Sequence, residues 1–122
     1  MIKVEEISKS FDGIEILKEI STVFGKGKTN LIIGQSGSGK TVLMKCLLGL
    51  LEVERGNIYF DNEKFDKENI SALANLRKEV GTVFQGSALF DSMTVLENII
   101  FPMKMFSNTT DEEMLFRAQE VI

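Results

Sequence analysis

The chain contains no histidine, one cysteine (Cys46) and one proline (Pro102). Without histidine it lacks the side chain most often used as a general base and as a zinc ligand. Chemistry here must therefore rest on carboxylates, amides, lysine or a bound metal. A single cysteine excludes an internal disulfide, which fits a reducing compartment. With no histidine to pair with it, Cys46 reads as a small buried helix residue rather than a nucleophile. There is no excess of positive charge: Lys plus Arg number 14 against 18 Asp plus Glu, a net charge of −4. This argues against broad nucleic-acid binding, which depends on neutralising phosphates with surplus cations. No long apolar run occurs. The stretches around residues 42–51 and 99–105 are too short or too broken to span a bilayer. The opening residues Met1-Ile2-Lys3-Val4-Glu5-Glu6 carry acids too early for a signal peptide. The chain is thus expected to be soluble by itself, reaching a membrane only through a partner.

What is present suits one ordinary globular domain or most of one: 122 residues, 43% hydrophobic and 26% charged. Residues 2–11 alternate in part, Asp12-Gly13 is a turn signal, and residues 14–24 continue with Ile16, Ile20 and Phe24 apolar. With a second turn at residues 25–28, this predicts an antiparallel β layer over residues 1–28. Thr29-Asn30-Leu31-Ile32-Ile33 is apolar and partly β-branched, which predicts a buried strand. Leu43, Leu47, Leu48 and Leu51 then recur at helical spacing, with Gly49 as a weak point inside that helix. A hairpin is expected from Asn57 to Phe65, turning at Asp61-Asn62-Glu63. A surface helix is expected over 66–79, a second apolar strand over 80–84, and a short helical turn over 94–100 that Pro102 interrupts. Thr110 and Glu113 are spaced as a capping box, and Met114, Leu115, Ala118, Val121 and Ile122 follow on one face. That unfinished apolar face reads as a sign of a piece of something longer.

Between the strand expected at 29–33 and the leucine-rich helix lies Gly34-Gln35-Ser36-Gly37-Ser38-Gly39-Lys40-Thr41, which fits G-x-x-x-x-G-K-[ST] at every fixed position. Glycines let a backbone curl around phosphate oxygens, and successive N–H groups form an anion nest at a helix N-terminus. Lys40 can reach the β- and γ-phosphates, and the Thr41 hydroxyl can ligate Mg²⁺. A flexible Gly/Ser linker is the alternative. The apolar segment before the loop and the helix after it favour the phosphate site.

The order of these features resembles the N-terminal portion of an ATP-binding cassette (ABC) transporter ATPase. The resemblance is carried by residues 4–11 with the Asp12-Gly13 turn, Leu17-Lys18-Glu19-Ile20-Ser21, the phosphate loop, Leu47-Leu48-Gly49-Leu50-Leu51, Glu54-Arg55-Gly56-Asn57-Ile58, and Arg77-Lys78-Glu79-Val80-Gly81-Thr82-Val83-Phe84-Gln85. It implies an α/β fold, a partial P-loop NTPase core with an N-terminal antiparallel β subdomain. In that scheme residues 1–28 and 57–66 form the β layer, 29–56 and 67–108 the P-loop core with the Q-loop, and 109–122 the start of a helical subdomain.

By the same resemblance, ATP and Mg²⁺ are the cofactors. Phe11 matches the aromatic residue that stacks on adenine, with a core or turn phenylalanine as the alternative. Residues 34–42, including Val42, line the nucleotide. Thr41 and Gln85 hold Mg²⁺, and Lys40 and Gln85 serve catalysis. Val42 departs from the many relatives with Ser or Thr there, so a hydroxyl contact is lost.

Residues 85–103, with Leu89, Phe90, Met93, Ile99 and Phe101, are expected to meet a transmembrane permease subunit. That would place the protein in the cytoplasm, at the inner face of the cell membrane. The parent is expected to act as a homodimer. The stretch Ser87-Ala88-Leu89-Phe90-Asp91-Ser92-Met93-Thr94-Val95, with Asn98 and Pro102, is most similar to ATPases of Mce-type lipid transporters. After Gln85 there is no match to the family's signature motif, no apolar strand ending in Asp-Glu, and no switch histidine. The 122 residues alone are therefore expected to bind ATP without hydrolysing it. A soluble ABC protein acting on nucleic acid or ribosomes, a phosphate-loop kinase, and a remnant that binds nothing are the competing readings. The acidic balance and the absence of an arginine-rich lid disfavour the first two.

Overall fold

The computed structural model describes residues 1–64, 68–84, 86 and 88–122. They form two compact units, residues 1–81 and 82–122.

The first unit is built on a four-stranded antiparallel sheet of order β2-β1-β3-β4. β1 (Ile2–Phe11) and β2 (Ile14–Phe24) form a hairpin closed at Phe11↔Ile14 by the expected turn. Asp12 and Gly13 both take positive φ (49° and 79°), the pattern of a two-residue turn that matches strand twist. β3 (Arg55–Phe60) runs along the other edge of β1, and Glu63–Lys64 (β4) returns along β3. The β1–β3 register shifts between Glu5 and Ser8, opposite Gly56. A Cβ on Gly56 would stand 2.4 Å from the carbonyl oxygens of both Glu5 and Glu6, and its φ is +83°. Only glycine allows the two strands to close at this bulge.

Two helices cover the sheet: α1 (Lys40–Leu47) and α2 (Ile70–Glu79). The core joins Val4, Ile7 and Leu17 of the hairpin and Ile58 of β3 with Leu43, Cys46 and Leu47 of α1 and Ala72 and Leu76 of α2. Cys46 is buried as expected, and burial pushes its thiol pKa up. Asn69 caps α2 by accepting a hydrogen bond from the Ala72 N–H at 3.1 Å. The helix therefore begins later than the periodicity alone suggests, and Phe65 and residues 66–67 of the expected hairpin and helix lie outside the described residues. α1 stops four residues short of the expected Leu51. Gly49 takes φ +64°, and the Leu50 and Leu51 N–H groups both turn back to the Lys45 carbonyl. Gly49 is thus the stop signal of this helix rather than a weak point within it.

The strands expected at 29–33 and 80–84 form no ladder among the described residues. Leu31 is 83% exposed and Val83 99% exposed. Extended apolar chain becomes a strand only when a neighbour accepts and donates its backbone hydrogen bonds, and none is described beside either segment.

The second unit is a helical hairpin of α3 (Val95–Phe106) and α4 (Asp111–Val121), closed over Ile100, Met114 and Ala118. Both helices start with complete capping boxes, Thr94 with Glu97 and Thr110 with Glu113. Pro102 does not interrupt α3, which runs 12 residues through it. Proline removes one N–H bond, and here the packing of Ile100 and its neighbours on α4 holds the helix across that gap. Of the apolar residues predicted on one face of α4, Met114 and Ala118 are buried while Leu115, Val121 and Ile122 are exposed. No described helix is long and apolar enough to cross a membrane.

Candidate functional site

Residues 29–35 lead into the glycine-rich loop, and Gly39 turns it into α1. Gly39 is buried with φ +87°, and a Cβ there would lie 3.0 Å from Ile16 Cγ2, 3.2 Å from Leu17 Cδ2 and 3.3 Å from the Ile16 carbonyl oxygen. The second fixed glycine of the motif is thus needed twice, for a left-handed backbone and for close seating against β2. Gly37 also takes positive φ (+80°), but with open space around it. No side chain caps α1, and its first turn has no acidic residue. The Lys40, Thr41 and Val42 N–H groups therefore face outward at the positive end of the helix.

Lys40 bends back over the loop. Its Nζ donates to the Gly34 carbonyl at 2.8 Å and the Gln35 carbonyl at 2.6 Å. An ammonium has three donors. Two of them hold the loop's shape and the third is left to reach an anion above it. Ser38 closes the turn through its N–H to the Gln35 carbonyl at 3.3 Å.

An open cleft of about 270 Å³ lies over this helix end, lined by Phe11, Ile16, Gly37, Gly39, Lys40, Thr41 and Val42. Phe11, at the end of β1, is separated in sequence by 23 or more residues from the loop, and the β1–β2 hairpin brings it to the same cleft. The structure thus brings together Phe11 with Gly37 and residues 39–42 of the predicted set, while Gly34, Gln35, Ser36 and Ser38 are exposed. Val42 presents an apolar wall to the cleft. Gln85 lies outside the described residues, so its position relative to this cleft is not described.

No group of three or more His, Cys, Asp or Glu side chains that could hold a metal exists among the described residues. The exposed Thr41 hydroxyl on the cleft is the described donor suited to a hard cation. A single hydroxyl fits Mg²⁺ that arrives already bound to phosphate oxygens and keeps most of its waters.

Two contributors escaped the sequence reading. Ile16 forms part of the cleft wall and of the seat for Gly39. Lys9 places its Nζ 5.4 Å from the centre of the Phe11 ring. The signal for Lys9 was its i, i+2 spacing from Phe11, which puts both on one face of a strand; Ile16 had none.

In the second unit, a groove of about 460 Å³ is lined by Leu89, Phe90, Asp91, Met93, Val95, Asn98 and Ile99. Phe90 packs on Phe101 at 4.8 Å between ring centres, tilted by 59°. Asn98 fixes the loop. Its side-chain oxygen accepts from the Phe90 N–H at 2.8 Å, and its amide nitrogen donates to the carbonyls of Phe90, Met93 and Thr94 at 3.0–3.2 Å.

Residues 17–122 match the family described as ABC transporter. The chain is 32% identical over 112 residues to a methionine import ATP-binding protein of Clostridioides difficile (strain 630), covering 92% of this chain and 35% of that protein. It is 43% identical over 101 residues to an arginine transport ATP-binding protein of Bacillus subtilis (strain 168), covering 83% and 42% respectively. Among solved structures, a dimeric ATP-binding cassette in a post-hydrolysis state bound to ADP and Pi superposes with a TM-score of 0.82 at 29% identity, over 98% of this chain and 55% of that one. The chain therefore spans about a third to a little over half the length of the proteins it matches. Its phosphate loop, its β layer and the match over residues 17–122 agree: the chain belongs to the ABC transporter family.

Proposed function

We propose that the chain supplies the ATP-gripping part of an ABC transporter's ATP-binding subunit, in which paired subunits hydrolyse ATP to drive a membrane permease. The observation that carries this reading is the one cleft shared by Phe11, Gly37 and residues 39–42, with Lys40 bent back over the loop. In that reading Phe11 stacks on adenine, and the N–H groups of residues 37–42 with Lys40 hold the β- and γ-phosphates. Gly34, Gln35, Ser36 and Ser38 shape the loop that carries them. Thr41 binds Mg²⁺ together with Gln85, which also senses the γ-phosphate. Magnesium, when bound, neutralises charge on the phosphates; everything else these residues do is positioning. The 122 residues contain no histidine and no match to the signature motif, and no strand among the described residues ends in Asp-Glu, so by themselves they bind ATP without turnover.

The groove of Leu89, Phe90, Met93 and Ile99, bordered by Asn98, is the face for the permease, and the net charge of −4 speaks against nucleic acid as a partner. Apolar side chains with methionine and phenylalanine suit a docking surface. This arrangement would hold the protein at the inner, cytoplasmic face of the membrane. For the cargo, the phrase at residues 87–95 with Asn98 and Pro102 supports a lipid. The names of the relatives, which import methionine or transport arginine, support a small polar solute instead.

The test is ATP hydrolysis by a polypeptide extended to the length of the relatives, beside its Lys40→Ala variant and the 122-residue chain. Turnover in the extended protein only, abolished by Lys40→Ala, is expected. Equal turnover in the Lys40→Ala protein would contradict the assignment. Identification of what co-purifies with the assembled permease, lipid or amino acid, separates the two cargo readings.

A further inference from the structure

We propose that Lys9 is a positioning and base-selecting residue of the nucleotide site, its ammonium backing the Phe11 ring so that the opposite face receives a purine base. The proposal rests on the reading of Phe11 as the base platform. Lys9 and Phe11 sit two residues apart on β1, and the Lys9 Nζ lies 5.4 Å from the ring centre, within cation–π range. Phe11 lines the cleft and Lys9 does not, so the ammonium does not compete for the space a base would fill.

Lys9 is itself held. Its side chain is only 17% exposed and stands 3.5 Å from Glu54 Oε1. Glu54 is fastened to β1 twice: its N–H donates to the Ser8 carbonyl at 2.9 Å, and its Oε1 accepts from the Ser10 N–H at 3.1 Å. The three side chains form a line, Glu54 to Lys9 to Phe11, running from the start of β3 to the lip of the cleft. A cation on one face draws ring electron density toward itself. It lowers the repulsion between the other face and an electron-rich purine, and it restricts a half-exposed ring to one orientation before the base arrives.

The experiment is calorimetric titration of Mg-ATP and of Mg-tripolyphosphate, which has no base, into the 122-residue chain. The proteins compared are wild type, Lys9→Gln, Lys9→Arg, Phe11→Leu and the double variant Lys9→Gln/Phe11→Leu. Tyr59 fluorescence checks that each variant keeps the β layer. Lys9→Gln should weaken ATP roughly 2- to 5-fold and leave tripolyphosphate unchanged. Lys9→Arg should retain wild-type affinity, because a guanidinium also sits over an aromatic face. Adding Lys9→Gln to Phe11→Leu should cost nothing further. Equal weakening of ATP and tripolyphosphate by Lys9→Gln, or a Lys9→Gln effect that persists without the ring, overturns the proposal. If Phe11→Leu leaves ATP affinity intact, the platform reading falls and takes the proposal with it. Loss of ATP affinity in Phe11→Leu but not in Lys9→Gln overturns the proposal alone.

Discussion

Replacing Gly39 and Gly37 separately by alanine separates what the phosphate loop demands of its backbone from what it demands of its surroundings. Both residues take positive φ, +87° and +80°. An L-residue in that region loses about 1–2 kcal/mol, offset by about 0.4–1 kcal/mol because alanine also stiffens the unfolded chain. Gly37→Ala meets nothing within 4 Å and should stop there, at a net loss near 1 kcal/mol. Gly39→Ala must also fit a methyl group 3.0 Å from Ile16 Cγ2, 3.2 Å from Leu17 Cδ2 and 3.3 Å from the Ile16 carbonyl. Leu17 is buried and the carbonyl belongs to β2, so neither can swing away. Overpacking of this kind adds about 1–3 kcal/mol. The chain has one tyrosine, Tyr59 in β3, and no tryptophan, so tyrosine fluorescence reports on the first unit alone. With a urea m-value of about 1–1.5 kcal/mol/M, the Gly39→Ala midpoint should fall about 1 M or more below that of Gly37→Ala. Equal midpoints for the two variants would refute the idea that Gly39 is a seat against β2.

Three further outcomes follow from the same contacts. Asn98→Ala should speed amide exchange at Phe90 about fivefold, the loss of one hydrogen bond of ~1 kcal/mol. Asn98→Asp keeps the acceptor for that N–H and should leave exchange at Phe90 near wild type, as read by deuterium exchange. The Thr94 and Thr110 N–H groups hold the Glu97 and Glu113 carboxyls below their ordinary pKa. A lowered folded pKa adds stability that is present above the unfolded value, about 4.3, and is lost as pH falls through the folded value. Helical circular dichroism should therefore decline in acid below about pH 4.3. Glutamine at both positions, which still completes the box, should flatten that decline. Cys46 should resist alkylation in the native chain and react in step with the Tyr59 unfolding transition, since its thiol is buried with a raised pKa.

How much of this was readable in the sequence depended on how local each cause is. The Phe11–Ile14 hairpin, the start of α1 and the capping box at Thr110 are set by neighbours within a few residues, and all appear where the residues predict them. The segments around Leu31 and Val83 have the composition of buried strands, but a strand needs a partner supplied from elsewhere in the chain. Pro102 was read as a break because a missing N–H is a local cost, whereas packing on α4 is not visible from composition. Gly49 was given the wrong weight because its φ, and so its role as a stop, depends on how the turn after α1 closes. In the cleft, the loop was legible from its spacing and Phe11 from resemblance. The contact of Lys9 with Phe11 was open to reading from their spacing on one strand, whereas the seat that Ile16 gives Gly39 required the fold that brings the loop against β2.

The most direct test of the central claim is calorimetric titration of Mg-ATP into the 122-residue chain and its Lys40→Ala variant. Lys40 contributes a charged donor to phosphate, worth about 1.5–3 kcal/mol, so the variant should bind roughly 10- to 150-fold more weakly. Matching affinities for the two proteins would mean that the loop under Lys40 is not where the phosphates sit.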